Sequence, residues 1–409
     1  MSSPNFLMRV PFLVVVIALL GSAATSLAGT NTQLHTGTGV LAEVEVMLQT
    51  DPTDPQHMVA AGHTYRIGDP EGREINTFHT ANGGLTWTLV PVNESVDSLS
   101  SVLRFDPTLA IDGFGDAWFA YLAAPDSLDN CSPTRLPILW CPQDSGGFQK
   151  QFELLAPEGK FIDKPMIATT PMPANPGTRV YVAYSEGDIA DCGNQEVDRL
   201  SVVAFDSYGL HELAQEELSS TGSFGMPQPD RNGDLWVIWI EDVENPTHAS
   251  IRVAKIDQGD GGDLSLVSNT TLGYPGYSQR YITSAADDRG INPSPSLAID
   301  RRATGTYAGR IYAVYGVKTG QDTDALDVVV QYNDGSGWSS PRLVHKSDDS
   351  AQFLPWVSVD QSSGAVAVVF YDTRHDATNV TAHTYLAVST DGGDTWSEKR
   401  ISGLRPGTC

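Results

Sequence analysis

Apolar and polar residues alternate along most of this 409-residue chain, in short runs rich in β-branched and aromatic residues. Residues 180–184 (Val-Tyr-Val-Ala-Tyr) and 235–239 (Leu-Trp-Val-Ile-Trp) are typical of these runs. Period-two alternation bounded by turn-forming residues predicts β-strands, and Asn232-Gly233 predicts a tight hairpin. The sequence shows no convincing amphipathic helical pattern. The hydrophobic pattern therefore predicts an all-β fold.

A pair of such strands, joined by a polar turn, occurs six times along the chain. Five copies begin at aligned prolines, namely Pro107, Pro165, Pro227, Pro295 and Pro355. A further pair of strands follows each copy, and four strands repeated six times are typical of a propeller. We therefore predict a six-bladed β-propeller of four-stranded antiparallel blades. A set of unrelated β-sandwiches is the alternative, but it does not explain the even spacing.

The repeat accounts for almost the whole chain after an apolar leader. Arg9 is the only charged residue of that leader, the apolar run covers residues 11–20, and Ser26-Leu27-Ala28 is a suitable cleavage site. We predict a signal peptide at 1–28 and an extracellular or periplasmic location. We predict one propeller domain at 29–409, with blades at approximately 40–95, 100–157, 160–218, 222–272, 280–346 and 350–405.

The charge of the chain narrows the range of partners. The 50 acidic residues outnumber the 25 Lys and Arg, which gives a formal charge of −25. This charge argues against nucleic acid and against anionic lipid surfaces as partners. No cluster has the spacing of a metal site, and we predict no cofactor, although acidic loops such as 257–263 leave calcium open. The oligomeric state is not predicted.

Four cysteines fit an oxidising compartment better than a zinc site, because CxxC-type spacing is absent. Cys131 and Cys141 flank one loop, and Cys192 with Cys409 would fasten the end of the chain. Four cysteines allow three connectivities, so this pairing remains one hypothesis among three.

The meander of a blade predicts which residues share a face. Turns between strands one and two, and between strands three and four, lie on one face, here called the lower face. The start of strand one and the end of strand two lie on the upper face, at the mouth of the axial channel. Carboxylates, cations and aromatics gathered there would suit a glycan. The candidates are Asp106, Glu186, Glu241, Tyr371 and Asp372 for catalysis, and Arg66, Lys164, Tyr184, Arg280 and Arg374 for substrate binding. The alternative for Asp372 and Arg374 is a salt bridge that caps their strand.

Turns between the third and fourth strands carry a second repeated motif. Residues 80–87 (Thr-Ala-Asn-Gly-Gly-Leu-Thr-Trp) and 389–396 (Ser-Thr-Asp-Gly-Gly-Asp-Thr-Trp) are the two clearest copies. They resemble the Asp-box, or bacterial neuraminidase repeat, of sialidase-type propellers. The resemblance implies a sialidase-like six-bladed fold. It also implies a structural role for Asn82, Trp87, Asp391 and Trp396, whose side chains suit the stabilisation of a turn.

The resemblance also implies a way of assigning roles to the candidates. Enzymes of this family bind the substrate carboxylate with three arginines, for which Arg66, Arg280 and Arg374 are the candidates here. Asp106 would be the acid, and Tyr371 or Tyr281 beside Glu186 or Glu241 would be the nucleophile.

One expected motif of the family is missing. The Phe/Tyr-Arg-Ile-Pro sequence that carries the first arginine has only an incomplete counterpart in Tyr65-Arg66-Ile67-Gly68. We therefore retain two functional hypotheses. The first is a secreted sialidase-like glycoside hydrolase that acts on glycans at the axial mouth. The second is a non-catalytic extracellular propeller that binds glycan or protein.

Overall fold

A computed structural model describes residues 40–66, 69–92, 102–125, 134–143, 147–171, 178–188, 199–206, 212–243, 245, 247–258, 263–346 and 350–402. Strands in this part of the chain form six four-stranded sheets and one separate hairpin. In each four-stranded sheet the strands are antiparallel neighbours in chain order. The sheets are the blades of a six-bladed β-propeller, which confirms the predicted fold class.

The first three blades occupy the amino-terminal half of the chain. Blade one consists of β1 (Val40–Thr50), β2 (Met58–Arg66), β3 (Asp69–Thr80) and β4 (Thr88–Val92). Blade two consists of β5 (Val102–Ile111), β6 (Ala117–Pro125), β7 (Arg135–Cys141) and β8 (Gln149–Leu155). Blade three consists of β9 (Lys160–Pro171), β10 (Thr178–Asp188), β11 (Arg199–Asp206) and β12 (Glu212–Ser219).

The other three blades follow, with an inserted hairpin after blade four. Blade four consists of β13 (Ser223–Pro229), β14 (Leu235–Glu241), β15 (Ser250–Gln258) and β16 (Leu264–Gly273). The hairpin pairs β17 (Tyr281–Thr283) with β18 (Ala286–Ile291). Blade five consists of β19 (Ser296–Ile299), β20 (Ile311–Lys318), β21 (Leu326–Asn333) and β22 (Arg342–Leu343). Blade six consists of β23 (Gln352–Val359), β24 (Val366–Asp372), β25 (His383–Ser389) and β26 (Ser397–Arg400). Residues 281–291, which the sequence assigned to the start of blade five, thus form a sheet of their own.

The hydrophobic core lies between neighbouring blades. Strand β14 shows how alternation serves two interfaces at once. Leu235, Val237 and Trp239 pack towards blade three, whereas Ile238 and Ile240 pack towards blade five. All five side chains have no exposed surface. Because both faces of a blade are covered, a strand-two residue is buried whichever way it points.

The first strand of each blade has an irregularity near its start. One non-glycine residue per blade has a positive φ angle there, and these residues are Glu45, Asp106, Lys164, Phe224, Ser294 and Leu354. In five blades the position coincides with a shift in the strand-one to strand-two register, and Ser294 lies just before β19. A left-handed backbone costs a non-glycine residue about 1–3 kcal/mol, and such bulges redirect side chains. We call this ring of six positions the axial mouth.

The position of the left-handed residue in blade four shows that the alignment of this repeat on Pro227 was wrong. The left-handed residue precedes Pro107, Pro165, Pro295 and Pro355, but in blade four it precedes Gly225. Pro227, which the sequence comparison aligned with those prolines, therefore lies further along its strand. A side chain at Gly225 would come within 2.7 Å of Leu200, so close packing between blades three and four favours glycine there.

The described residues include no helix that is long and apolar enough to cross a membrane. The predicted signal peptide at 1–28 lies outside these residues, as do Cys131, Cys192 and Cys409. Cys141 is buried in blade two, and its Sγ lies 3.7 Å from the carbonyl oxygen of Pro142. The disulfide pairing therefore stays a prediction.

Candidate functional site

Four charged side chains and one histidine meet where the axial mouth passes blades one to three. The ammonium group of Lys164 lies 2.9 Å from Oδ2 of Asp106 and 3.3 Å from Oδ1 of Asp163. The backbone N–H of Asp106 donates to Oε2 of Glu45 at 2.8 Å, and Nδ1 of His63 lies 3.5 Å from the same oxygen. We call these five residues the acidic cluster. It gathers residues from the inner strands of three blades, which are far apart in the chain.

The pKa values of the two central carboxyl groups move in opposite directions. Burial raises the pKa of Asp106 to about 7; the charges of Glu45 and Asp163 add to this effect, and Lys164 opposes it. Burial also acts to raise the pKa of Glu45, but the hydrogen bond from His63 and the charge of Lys164 outweigh it and hold that pKa at about 2. The pKa of Asp106 therefore lies above that of Glu45, so Glu45 is the first of the two to lose its proton as the pH rises. Two neighbouring carboxyl groups with separated pKa values are an arrangement suited to acid and base catalysis.

The other half of the axial mouth is mainly apolar. Blades four, five and six place Phe224, Ser294 and Leu354 at the positions that Glu45, Asp106 and Lys164 hold in the first three blades. Phe224 and Leu354 are both partly exposed. The mouth therefore has an acidic side and an apolar side.

Asp372 and Arg374, the two charged candidates of blade six, bond to each other. Arg374 also bonds to the outermost strand of the blade. Asp372 is fully buried and accepts hydrogen bonds from Nε and Nη2 of Arg374 at 2.8 and 2.5 Å. Arg374 also donates from Nη1 to Glu398 of the outermost strand at 2.7 Å. This is the strand-capping salt bridge that the sequence analysis kept as an alternative.

Tyr371 lies next to Asp372 in β24 and belongs to a different group. Its ring stacks on that of Phe353, with centroids 5.8 Å apart. Burial raises the pKa of its phenol to about 12, which opposes formation of a tyrosinate nucleophile. The glutamates expected beside it bond elsewhere in the molecule.

Those two glutamates and Tyr184 all lie at the ends of strand-two segments. Glu241 accepts hydrogen bonds from Ser219, Thr221 and Trp239 at 2.7, 2.8 and 2.7 Å, and so stabilises the connection between blades three and four. Glu186 is buried, with Arg199 of the next strand 3.8 Å away.

Tyr184 packs in the core between blades two and three, and its hydroxyl accepts a hydrogen bond from Gln215 at 2.8 Å. The contacts of Tyr184 and Glu241 thus belong to the core and to the connection between blades three and four.

The other two candidate clamp arginines lie at the end of β2 and just before the inserted hairpin. Arg66 ends β2, and its side chain lies outside the described part of the structure. Arg280 has a left-handed backbone and directly precedes the inserted hairpin. Arg374 is paired with Asp372 and Glu398, and the three-arginine clamp stays a prediction.

The two Asp-box-like turns have the hydrogen bonds expected of turn-stabilising side chains. Oδ1 of Asn82 accepts from the hydroxyl of Thr80 and from the backbone of Thr86, both at 2.9 Å. Asp391 accepts from the backbone of Thr395 at 2.9 Å, and hydrogen bonds from Thr395 lower its pKa to about 2 although the side chain is hardly buried.

The tryptophans of these turns pack close to them. Trp87 donates to the carbonyl oxygen of Gly84 at 3.1 Å, and Trp396 packs against the core between blades five and six. Gly83 and Gly392 of the two turns are bonded to the strand-one to strand-two turns of blades one and five, so both kinds of turn share the lower face.

Glu45 is the residue of the acidic cluster that the sequence analysis missed. A signal for it exists, because Glu45, Asp106, Phe224, Ser294 and Leu354 stand at one fixed spacing before the aspartates that end their strands. Those aspartates are Asp51, Asp112, Asp230, Asp300 and Asp360. Alignment on the aspartates instead of the prolines would have placed Glu45 beside Asp106. Among the described residues, no group of three or more His, Cys, Asp or Glu could hold a metal ion.

Comparison with known proteins identifies the fold. The sequence matches no family model and no curated protein. Solved structures do match. A Hadza microbial sialidase has 13% identity and a TM-score of 0.52; the match covers 80% of this chain and 63% of the sialidase, so the chain spans less than two thirds of that protein. The GH93 alpha-L-arabinofuranosidase of Fusarium graminearum, solved with arabinobiose, has 11% identity and a TM-score of 0.51, with 84% and 92% covered. At these identities the similarity concerns the fold, and it agrees with the resemblance found in the turns. The chain has the fold of the sialidase-like six-bladed propellers.

Proposed function

We propose that this protein is a glycoside hydrolase whose reaction takes place in the acidic cluster. The observation that supports this proposal is the pair Glu45 and Asp106, held side by side at the axial mouth with pKa values moved apart. Most glycoside hydrolases use two carboxyl groups, one protonated and one ionised, on either side of the bond that they cleave. The fold is also one that glycosidases use, although a fold alone does not imply an activity.

In the proposed reaction Asp106 is the general acid. Its proton passes to the glycosidic oxygen as the bond from that oxygen to the anomeric carbon breaks. Glu45 either attacks the anomeric carbon or takes a proton from the attacking water. Oε2 of Glu45 lies 2.8 Å from the backbone nitrogen of Asp106, so one aspartate side chain separates the two groups.

We further propose that the sugar at this site is uncharged. The acidic cluster contains three carboxyl groups and one ammonium group, and that ammonium group already pairs with two of them. A sialic acid carboxylate would meet net negative charge there. Arg374, a candidate for binding that carboxylate, is paired with Asp372 and Glu398.

The test is hydrolysis of a panel of neutral glycosides and sialosides by the purified protein, with Glu45→Gln and Asp106→Asn as variants. We expect turnover of at least one neutral glycoside and a loss of at least 100-fold in kcat in each variant, a typical contribution of acid–base catalysis. Glu241→Gln is the control, because Glu241 bonds to Ser219, Thr221 and Trp239 instead of entering the cluster. Full activity in Glu45→Gln or Asp106→Asn would disprove the assignment, and turnover of sialosides alone would disprove the neutral sugar.

One observation favours the second hypothesis, a propeller that binds glycan without cleaving it. Both central carboxyl groups are already bonded inside the cluster, Asp106 to Lys164 and Glu45 to the backbone of Asp106. In that case the cluster would only shape the mouth. Binding to an array of neutral oligosaccharides, equal in wild type, Glu45→Gln and Asp106→Asn and without any hydrolysis, would identify this function.

A further inference from the structure

The inserted hairpin β17–β18 belongs to an aromatic cluster beside the apolar side of the axial mouth. Tyr277 and Phe353 are buried in this cluster, and Tyr281, Leu354 and Tyr371 are partly buried against it. The rings of Tyr277 and Tyr281 lie 4.9 Å apart, and those of Phe353 and Tyr371 lie 5.8 Å apart. The hairpin thus joins the tops of blades five and six through aromatic contacts.

Specific contacts attach the hairpin to blade five. Ser284 at its tip donates from its backbone and from its hydroxyl to Asp324, at 2.8 and 2.6 Å. The hydroxyl of Tyr277 lies against Gly316 of β20, and a Cβ at Gly316 would overlap it. The ammonium group of Lys318 lies 5.3 Å from the centre of the Tyr281 ring. These contacts hold the hairpin in one position over the blades.

Leu354 links the aromatic cluster to the axial mouth. It is the blade-six member of the mouth, and its side chain packs in the same cluster as Tyr281 and Tyr371. In a ring of six blades, blade six stands next to blade one, which carries Glu45. Leu354 and Glu45 therefore hold consecutive positions in the ring of the axial mouth.

We propose that Tyr371 and Leu354 form an apolar subsite for the sugar ring whose bond reaches Glu45 and Asp106, and that the hairpin holds this subsite in place. The proposal rests on the proposed function and extends it to the binding of the substrate. A neutral sugar presents a face of C–H groups, and such a face is stabilised against aromatic and aliphatic side chains when water is displaced. Tyr371 would contact the sugar, whereas Tyr281 would act as a positioning residue behind it.

The experiment measures substrate binding in variants of both tyrosines. In a background of Asp106→Asn, which prevents turnover, the dissociation constant is measured by calorimetry with the neutral oligosaccharide that wild type cleaves fastest. We expect Tyr371→Ala and Tyr281→Ala to weaken binding about tenfold, in line with the free energy of one aromatic contact. In the active protein the same substitutions should raise KM by a similar factor and change kcat less than threefold.

Two further variants separate positioning from general damage to the fold. Tyr281→Phe keeps the ring and removes a buried hydroxyl that has no hydrogen-bond partner among the described residues, so it should restore most of the affinity. Tyr274→Ala is the matched control, because Tyr274 precedes the same hairpin but has 74% of its surface exposed and lies outside the cluster. It should leave KM and the dissociation constant unchanged.

The results distinguish this inference from the proposed function. If wild type cleaves glycosides but both alanine variants keep its KM within twofold, the subsite is disproved and the hydrolase stands. If nothing is cleaved, the array of neutral oligosaccharides replaces calorimetry. Loss of binding in the alanine variants, with rescue by Tyr281→Phe, would then support the subsite without the reaction. Equal loss in Tyr274→Ala would overturn it.

Discussion

Replacement of Lys164 by methionine removes the one ammonium group from the acidic cluster and keeps most of the length of the side chain. The ammonium group lies 2.9 Å from Asp106 and 3.3 Å from Asp163. The side chains of Lys164 and Asp106 are 29% and 11% exposed, so the pair lies between a surface ion pair, worth about 0–1 kcal/mol, and a buried one, whose disruption costs about 3–5 kcal/mol. We expect a cost of about 2–4 kcal/mol at pH 9, which lies above the pKa of Asp106 in the wild type.

The cost should be smaller at pH 6, because Asp106 can then keep its proton. Folding raises the pKa of Asp106 from 3.8 to about 7, so the native state gains stability from this proton at low pH and loses that gain as the pH rises to 7. Without Lys164 the pKa rises by roughly another 1 to 3, and the loss continues above pH 7. At about 1.36 kcal/mol for each pH unit, and with only the two units from pH 7 to pH 9 contributing, Lys164→Met should cost about 1.4–2.7 kcal/mol more at pH 9 than at pH 6.

Urea unfolding of wild type and variant at both pH values measures this difference. Lys255→Met is the control, since Lys255 pairs with Asp234 at 2.6 Å outside the axial mouth, and Asp234 is more exposed than Asp106. Its cost should be about 0–1 kcal/mol and the same at both pH values. An equal cost of Lys164→Met at pH 6 and pH 9, or a larger one at pH 6, would refute the charge arrangement described for the cluster.

Three further outcomes are expected. The kcat/KM for a neutral glycoside should decrease about tenfold per pH unit above about pH 7, where Asp106 loses its proton, and a rate that is constant to pH 9 would exclude Asp106 as the acid. Asp372→Asn should lower the free energy of unfolding by about 3–5 kcal/mol, because it leaves Arg374 without its buried partner, but it should not change KM. Gly316→Ala should raise KM as well as lower stability by about 1–3 kcal/mol, because its Cβ would displace Tyr277 and the hairpin; unchanged values of both would contradict the packing described.

The acidic and apolar sides of the axial mouth show how one backbone position, repeated in every blade, can carry different side-chain chemistry. The left-handed residue occurs in every blade, so the backbone presents six equivalent side chains to the channel. Charged residues fill three of these positions and less polar residues fill the others. Variation at a repeated backbone position therefore creates an asymmetric site without any change in the fold.

The sequence determined the strands, the number of blades and the sharing of the lower face by two kinds of turn. These depend on local chemistry, namely alternation with period two and glycine and aspartate in turns, which is visible in short segments. The tertiary structure alone decided which polar residues meet. The alternating pattern does not show which of two covered blade faces receives a side chain. Tyr184 was therefore a candidate although it packs in the core, and Glu241 was a candidate although it stabilises a connection between blades. The spacing before Asp51 gives Glu45 the same position in its strand as Asp106, but only packing of the first strands around the axis brings it to Asp106.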